Sequence, residues 1–202
     1  FGIGQSPGTG FPGESAGKLP NRPRWYATEK VSLAFGYGIS ATPLQLASAY
    51  SVFANDGKQL PISLLALEGE TPEGKQIISQ ETAAQLLGML HAVTGEQGTA
   101  RKARVSGYQV GGKTGTVHKV GPGGYEKHKY VALFAGIAPI DNPRIVTVVV
   151  INDPKGKLYG GGAVAAPVFS QITSGTLRIL GVPPSEIGTV SEAARPAPGG
   201  AT

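Results

Sequence analysis

The segment "YQVGGKTGTVHKV", Tyr108–Val120, decides the fold class because it fits two motifs that demand different backbones. Together with Gly107 it matches the phosphate-loop pattern G-x-x-x-x-G-K-[ST], which ends at Thr114 and opens a helix. From Lys113 onward it contains Lys-Thr-Gly-Thr, a pattern typical of a strand-borne lysine in serine acyl-transfer sites. The residues that follow Thr116 distinguish these two interpretations.

The sequence after Thr116 favours a strand. It continues with β-branched residues and then a glycine- and proline-rich run, which makes a poor helix. A phosphate loop needs a helix directly after its lysine, because the helix N-terminus helps to bind the phosphates. Alternation along a strand would place Lys113 and Gly115 on one face and Thr114 and Thr116 on the other. Nucleotide binding through Gly107–Thr114 remains the alternative hypothesis.

Two apolar segments downstream predict further strands. Residues Lys129–Pro139 and Ile145–Ile151 are almost wholly apolar, and Asp141-Asn142-Pro143 between them is turn chemistry. This arrangement predicts an antiparallel hairpin. Near-continuous apolar strands are buried on both faces, so we expect helices on each side of the sheet. The predicted fold class is α+β.

The remaining elements follow from capping and periodicity. Thr42 and Gln45 form a capping box at the start of a helix. The predicted elements are a loop at Phe1–Arg24, helices at Thr42–Asn55, Ser79–Gly95 and Ala163–Leu180, a strand at Ile62–Leu67, and a disordered tail at 183–202.

Composition excludes several function classes. The chain has 202 residues, 40% of them hydrophobic and 15% charged, which suits a globular protein. The net charge of +5 is spread out, so we expect no nucleic-acid partner. The absence of cysteine excludes disulfides and thiolate metal sites, and we expect no metal or cofactor. No apolar run reaches the roughly 18 residues of a membrane span. Because the chain begins with Phe1, we expect a piece of a longer protein.

Several stretches, in order, carry a family resemblance. They are "GTGFPGE" (8–14), "FGYGISATPLQLASAY" (35–50), "ANDG" (54–57), "QGTARKARVSGYQVGGKTGT" (97–116), "LFAGIAP" (133–139) and "GGAVAAPVF" (161–169). On these residues the sequence resembles the C-terminal part of the class B penicillin-binding proteins, close to the cell-division type of Gram-negative bacteria. The implied fold is that of the serine transpeptidases, with residues 1–182 forming the back half of that domain.

The resemblance implies an activity and its residues. The family cross-links peptidoglycan by acyl transfer from the D-Ala-D-Ala end of a stem peptide to a serine, and β-lactam antibiotics acylate the same serine. Lys113 and Thr116 would be catalytic, the first in proton transfer and the second through its backbone N–H as an oxyanion donor. The substrate-binding residues implied are Lys113, Thr114, Gly115, Thr116, Tyr37, Tyr130, Leu158 and Tyr159. His118 is expected to face solvent.

The sequence departs from the family pattern in two motifs. The only S-x-x-K is Ser15–Lys18, which lies among glycines and cannot begin a helix, and there is no S-x-N. The resemblance therefore implies an N-terminal part of the same protein that carries both motifs, and a chain that is inactive alone. It also implies divisome membrane proteins as partners and a place at the periplasmic face of the bacterial inner membrane, with the anchor outside this segment. A non-catalytic penicillin-binding-like module is a further hypothesis.

Overall fold

The computed structural model describes residues 1–70 and 72–185. In chain order the elements are α1 (Ala27–Ala34), α2 (Pro43–Ala54), β1 (Lys58–Gln59), β2 (Lys75–Gln76), α3 (Gln80–Ala92), a 3₁₀ turn (Arg101–Ala103), β3 (Gly111–Gly121), β4 (Gly124–Ala138), β5 (Ile145–Asn152) and α4 (Gly161–Ile179). Within these ranges β1 and β2 form a small pair, and β3, β4 and β5 form the main sheet.

The main sheet is an antiparallel meander in the order β3-β4-β5. Thr114 pairs with Phe134, and Ala135 pairs with Val148, so the three strands align over their apolar middle sections. The turn chemistry at residues 141–143 lies between β4 and β5. The predicted antiparallel hairpin and the α+β fold class are therefore confirmed.

Helices cover both faces of this sheet. On one face, the ring of Phe134 from β4 meets Phe169 of α4 edge-on at 4.8 Å, and both residues are fully buried. Burying an aromatic ring of this size stabilises a fold by roughly 1.5–3 kcal/mol. On the other face lie α2 and α3, which also contact each other. Gly111 of β3 faces α3, since a side chain at this position would meet the backbone of His91. The expectation of two helical layers is confirmed.

Two segments differ from the sequence-based predictions. The predicted strand at Ile62–Leu67 is irregular, and Leu64 and Leu65 are 58% and 81% exposed. Apolar character alone could not make a strand here because no neighbouring strand pairs with it in the described residues. Helix α1 was not predicted, and none of its residues is buried. Of the predicted tail, 183–202, only residues 183–185 fall within the described ranges.

The glycine-rich N-terminal loop is held by one buried side chain, Gln45 of α2. Its Oε1 accepts the Thr42 N–H at 2.9 Å and completes the predicted capping box. Its Nε2 lies within hydrogen-bond distance of three carbonyl oxygens, those of Gly2 (3.3 Å), Gln5 (2.8 Å) and Ala16 (2.8 Å). One amide therefore ties Gly2, Gln5 and Ala16 of the loop to the start of α2.

The carboxylate of Glu14 also stabilises the same loop, through hydrogen bonds within it. It accepts hydrogen bonds from the hydroxyls of Ser6 and Thr9 and from the backbone N–H groups of Gly8 (3.0 Å) and Thr9 (2.8 Å). The Ser6 hydroxyl, followed by that of Thr9, lowers the pKa of Glu14 to about 2 from its ordinary value of 4.5. The ionised carboxylate is thus the form that the folded loop stabilises.

We predict that Gln45→Glu destabilises the chain by about 1–3 kcal/mol, because three carbonyl oxygens would lose their donor and face a carboxylate. Urea unfolding measures the change. The control is Gln80→Glu at the exposed start of α3, which should change the free energy of unfolding by less than about 0.5 kcal/mol. Equal effects of the two substitutions would contradict the role given to Gln45.

We also predict a pH dependence that Glu14 causes. Because its pKa is lowered by folding, its contribution to stability is fully present above pH 4.5 and is lost as pH falls towards about 2. The difference in free energy of unfolding between the wild type and Glu14→Gln should therefore shrink across this interval. Urea unfolding at a series of pH values measures it, and a difference independent of pH would refute the assignment.

Candidate active site

The Lys113–Thr116 motif lies on the outer strand of the main sheet. Within the described part of the chain, β3 pairs only with β4, so one edge of β3 is open. Lys113 is extended and exposed, inside a strand of 11 residues rather than at the start of a helix. Extended backbone at an open edge can pair with a peptide-like ligand, because its remaining N–H and C=O groups have no strand partner.

The threonines of the motif share one face of β3, as alternation predicted, and that face is turned towards α4. The Thr116 Oγ1 accepts the N–H of Gly161, the first residue of α4, at 3.0 Å. The methyl group of Thr114 lies beside Gly162, and its hydroxyl lies 3.5 Å from that of Thr99. Because the Thr116 oxygen accepts from the helix, its own proton is free to donate to a ligand.

The start of α4 approaches β3 so closely that it requires glycine. A Cβ on Gly161 would stand 2.3 Å from the carbonyl oxygen of Leu133 and 2.6 Å from that of Gly115. A Cβ on Gly162 would stand 2.3 Å from the carbonyl oxygen of Thr99. This contact brings the positive end of a 19-residue helix against the threonine face, which favours a negative group there.

Lys113 and Gly115 occupy the opposite face of β3. A side chain on Gly115 would meet that of Leu133, which lies on this second face. The ammonium of Lys113 donates to the carbonyl oxygen of Thr114 at 2.8 Å. It enters no ion pair with any other described residue. The ammonium therefore has donors left for a group outside this chain.

Aromatic rings extend the threonine face. Tyr130 of β4 stacks on Tyr159, which directly precedes the α4 cap, with ring centroids 4.0 Å apart and planes 12° apart. His118 lies against Tyr130 at 4.6 Å. Desolvation, followed by the neighbouring Tyr159, raises the pKa of Tyr130 above its ordinary value. The exposed side chain of His118 thus also packs on a ring, which its sequence context did not indicate.

Tyr37 contacts another ring of this group, and Leu158 adjoins Tyr159 in the chain. The ring of Tyr37 contacts Tyr125 edge-on at 6.3 Å, and Tyr125 in turn contacts His118 at 6.3 Å. Leu158 is 58% exposed and immediately precedes the stacked Tyr159. The structure thus places Thr114, Thr116, Tyr130 and Tyr159 on one face. Tyr37 is connected to this face through the rings of Tyr125 and His118.

Comparison with known proteins identifies the family. Residues 1–174 match the family described as the penicillin binding protein transpeptidase domain.

The chain belongs to this family.

Its relatives include a probable peptidoglycan D,D-transpeptidase PenA of Neisseria flavescens, 42% identical over 92% of this chain and 46% of that protein. Peptidoglycan D,D-transpeptidase FtsI of Escherichia coli K12 is 39% identical over 94% of this chain and 32% of that protein. The apo structure of the TP domain from Burkholderia pseudomallei penicillin-binding protein 3 superposes with a TM-score of 0.86 at 43% identity, covering 91% of this chain and 56% of that one. The chain thus spans a third to a half of these curated relatives.

Membership in the transpeptidase family agrees with the strand position of Lys113, and the phosphate-loop alternative gains no support. Residues 111–114 of this motif already lie in β3 and no helix follows Thr114, so the backbone N–H groups there are not gathered at a helix start as phosphate binding requires. Ser15–Lys18 is also not a nucleophile motif in this structure. No helix begins at Ser15, and Lys18 forms an isolated β-bridge with Ser40.

Residues 1–70 and 72–185 contain neither a candidate membrane-spanning helix nor a candidate metal site. None of the helices there has both the length and the apolar character needed to cross a membrane. No three His, Asp or Glu side chains in these ranges converge in a way that could hold a metal ion. Residues that sequence reasoning missed are Thr99 and Gly161, although the run of glycines at 160–162 was a visible signal of close backbone approach.

We predict that Gly161→Ala separates α4 from β3, because the new methyl group would overlap two carbonyl oxygens. Overpacking of this kind typically costs about 1–3 kcal/mol, and the hydrogen bond to Thr116 should be lost. Urea unfolding and the NMR shift of the Thr116 methyl group report the two effects. The control is Gly175→Ala in the same helix, where a Cβ meets nothing within 4 Å. That change should stabilise the chain by about 0.5–1 kcal/mol, and destabilisation by both variants would contradict the steric argument.

Proposed function

We propose that residues 1–182 form the C-terminal portion of the transpeptidase domain of a peptidoglycan D,D-transpeptidase of the cell-division type. The full enzyme would take the acyl group of a donor stem peptide from its D-Ala-D-Ala end onto a serine, release D-alanine, and pass the acyl group to an amine of a neighbouring strand. β-Lactam antibiotics would acylate the same serine. The observation that carries this proposal is the Lys-Thr-Gly-Thr motif on an open strand edge, with the Thr116 hydroxyl set by the start of α4.

The threonine face would bind the terminal carboxylate of the donor. The hydroxyls of Thr114 and Thr116 are both directed to this face, and the Gly161 N–H leaves the Thr116 proton available. The positive end of α4 adds a favourable field for a negative group. A hydrogen bond to a charged group contributes roughly 1.5–3 kcal/mol, so two hydroxyls and a helix end would select a substrate that ends in a free carboxylate.

Lys113 and the backbone of β3 would serve the acyl transfer itself. The Lys113 ammonium has spare donors on the face opposite the threonines, where an upstream part of the protein would present the serine of an S-x-x-K motif and an S-x-N motif. There the ammonium would assist proton transfer through the hydroxyls. The N–H of Thr116 would donate to the oxyanion, a contact whose loss typically costs roughly 2.7–4 kcal/mol. Gly115, which lacks a side chain, would let the substrate backbone come close.

Aromatic and apolar side chains would line the rest of the cleft. Tyr130 and Tyr159 form a flat wall next to the threonines, suited to pack against a substrate side chain or the acyl side chain of a β-lactam. Leu158 and Tyr37 would extend this wall at its two ends. We also propose the periplasmic face of the bacterial inner membrane as the site of action and divisome membrane proteins as partners, since these follow from an FtsI-type role.

The test is acylation by a fluorescent penicillin of a longer protein in which the upstream part precedes this chain. We predict stoichiometric labelling there and none of the 202-residue chain alone, because the chain lacks the nucleophile. Lys113→Ala should slow acylation by at least about 100-fold. Thr116→Val should slow it by about 10- to 100-fold. The matched control is Lys119→Ala on the same strand, which should leave the rate unchanged.

Two results would contradict the proposal as a whole, and a third would contradict the role given to Lys113. Stoichiometric labelling of the isolated chain would mean that it holds its own nucleophile. A longer protein that folds but is not labelled would favour the non-catalytic module instead. Full-rate acylation of Lys113→Ala would remove this lysine from the chemistry while leaving the family unaffected.

A further inference from the structure

A groove of about 440 Å³ lies between α1 and the hairpin that joins β3 to β4. We call it the α1 groove, and its principal lining residues are Arg22, Trp25, Glu29, Leu33, Tyr37 and Tyr125. Its volume falls within the range typical of small-molecule sites in proteins. Of these lining residues, the proposed acyl-transfer site includes only Tyr37.

The lining combines flat rings with a paired charge. Tyr37 and Tyr125 are 37% and 62% exposed, and their rings meet edge-on at 6.3 Å. Arg22 and Glu29 form an ion pair at the groove, and the second Glu29 oxygen accepts the Tyr26 N–H at 3.1 Å. The guanidinium keeps donors and the carboxylate keeps acceptor sites beyond this pair. The groove therefore offers aromatic faces, donors and acceptors without a net charge.

This chemistry matches a neutral sugar chain. A pyranose ring presents one face of C–H bonds, which packs on an aromatic ring, and a rim of hydroxyls that both donate and accept hydrogen bonds. Tyr and Trp suit such contacts because they join a large apolar surface to a polar tip. A net-neutral pair such as Arg22 with Glu29 gives little preference for an anion, so it fits hydroxyl and N-acetyl groups better than a carboxylate.

The face of α1 opposite the groove is apolar and would suit contact with another protein segment, whereas the groove side is polar. Ala27, Val31, Ala34 and Phe35 form an apolar stripe on that far side, and Val31 and Phe35 are 57% and 74% exposed. A second protein segment would cover this stripe to bury apolar area. The groove side, with its ion pair and hydroxyls, would lose hydration of charged groups under such a cover.

A chain of ring contacts connects the α1 groove to the threonine face. Tyr125 contacts His118, and His118 contacts Tyr130, at 6.3 and 4.6 Å between ring centroids. His118 lies two residues after Thr116 on the same face of β3, a distance of about 7 Å along a strand. An extended peptide of four or five residues, which spans at most about 3.5 Å per residue, could therefore bridge the threonines and the groove.

From these observations we propose that the α1 groove binds the N-acetylated glycan backbone of a peptidoglycan strand whose stem peptide occupies the Lys113–Thr116 site. The inference rests on the proposed function, because stem peptides are attached to such glycans. It assigns Trp25 and Tyr125 as sugar-stacking residues and Arg22 and Glu29 as hydroxyl partners. The enzyme would thus recognise its substrate by the glycan as well as by the peptide terminus.

Trp25 is the only tryptophan of the chain, so its fluorescence reports on this groove directly. We predict a saturable change of its emission when the chain is titrated with the tetramer of N-acetylglucosamine, and saturable binding of the same tetramer to the longer protein by isothermal titration calorimetry. Tyr125→Ala should weaken binding by at least about tenfold, since truncation of a central aromatic contact commonly costs more than 1 kcal/mol. Tyr125→Phe, which keeps the flat ring, should restore it. The control is Tyr26→Ala, which removes an equally exposed tyrosine next to α1 and outside the groove.

Three outcomes would overturn the inference. They are the absence of a saturable change up to the solubility limit of the sugar, equal binding by Tyr125→Ala and the wild type, and shielding of Trp25 from acrylamide by the upstream part of the longer protein. Circular dichroism of each variant separates misfolding from lost binding. Penicillin labelling of the longer protein without sugar binding would defeat this inference alone, whereas sugar binding without labelling would defeat the proposed function.

Discussion

The close contact between the first turn of α4 and the backbone of β3 and β4 is the constraint on which the rest of the structure depends. Gly161 has no room for a side chain against the carbonyl oxygens of Leu133 and Gly115. Because the backbones touch, the Gly161 N–H reaches Thr116, and the positive end of the helix lies on the threonine face. The same approach brings Phe169 onto Phe134 and closes the main core. One backbone contact therefore sets both the packing of α4 on the sheet and the position of the Thr116 hydroxyl.

The two faces of the edge strand β3 have different surroundings. The threonine face is completed within this chain by α4 and by the Tyr130–Tyr159 stack. The lysine face contains an exposed ammonium whose one hydrogen bond in the described residues is to the neighbouring carbonyl oxygen of Thr114. Under the proposed function, this asymmetry would let the chain supply the carboxylate-binding surface while another part of the protein supplies the nucleophile. The chain spans 56% of the Burkholderia transpeptidase domain structure.

The N-terminal loop shows how a segment too rich in glycine for helix or strand can still be ordered. Side chains satisfy its backbone in place of secondary structure: Gln45 reaches three carbonyl oxygens, and Glu14 accepts two N–H groups and two hydroxyls. Both residues lie in stretches that carried the family resemblance. Their chemistry gives a structural reason for those stretches that is independent of catalysis.

The sequence by itself determined the elements whose signals are local. The capping box of Thr42 and Gln45, the alternation of the Lys113–Thr116 segment and the turn at residues 141–143 each depend on neighbours a few positions away. From these followed the antiparallel sheet, the helical layers and the two faces of the motif. They were predicted because a period of two or 3.6 residues is set by backbone geometry and does not need a partner.

Only the tertiary structure decided what meets across long separations in the chain. The stacking of Tyr130 on Tyr159, the position of Thr99 beside Thr114 and the groove between Trp25 and Tyr125 depend on how α1 and α4 sit on the sheet. The apolar run at Ile62–Leu67 failed as a strand for the same reason, since a strand exists only when a neighbour satisfies its backbone. Local pattern fixes which face a residue occupies, whereas packing decides what that face touches.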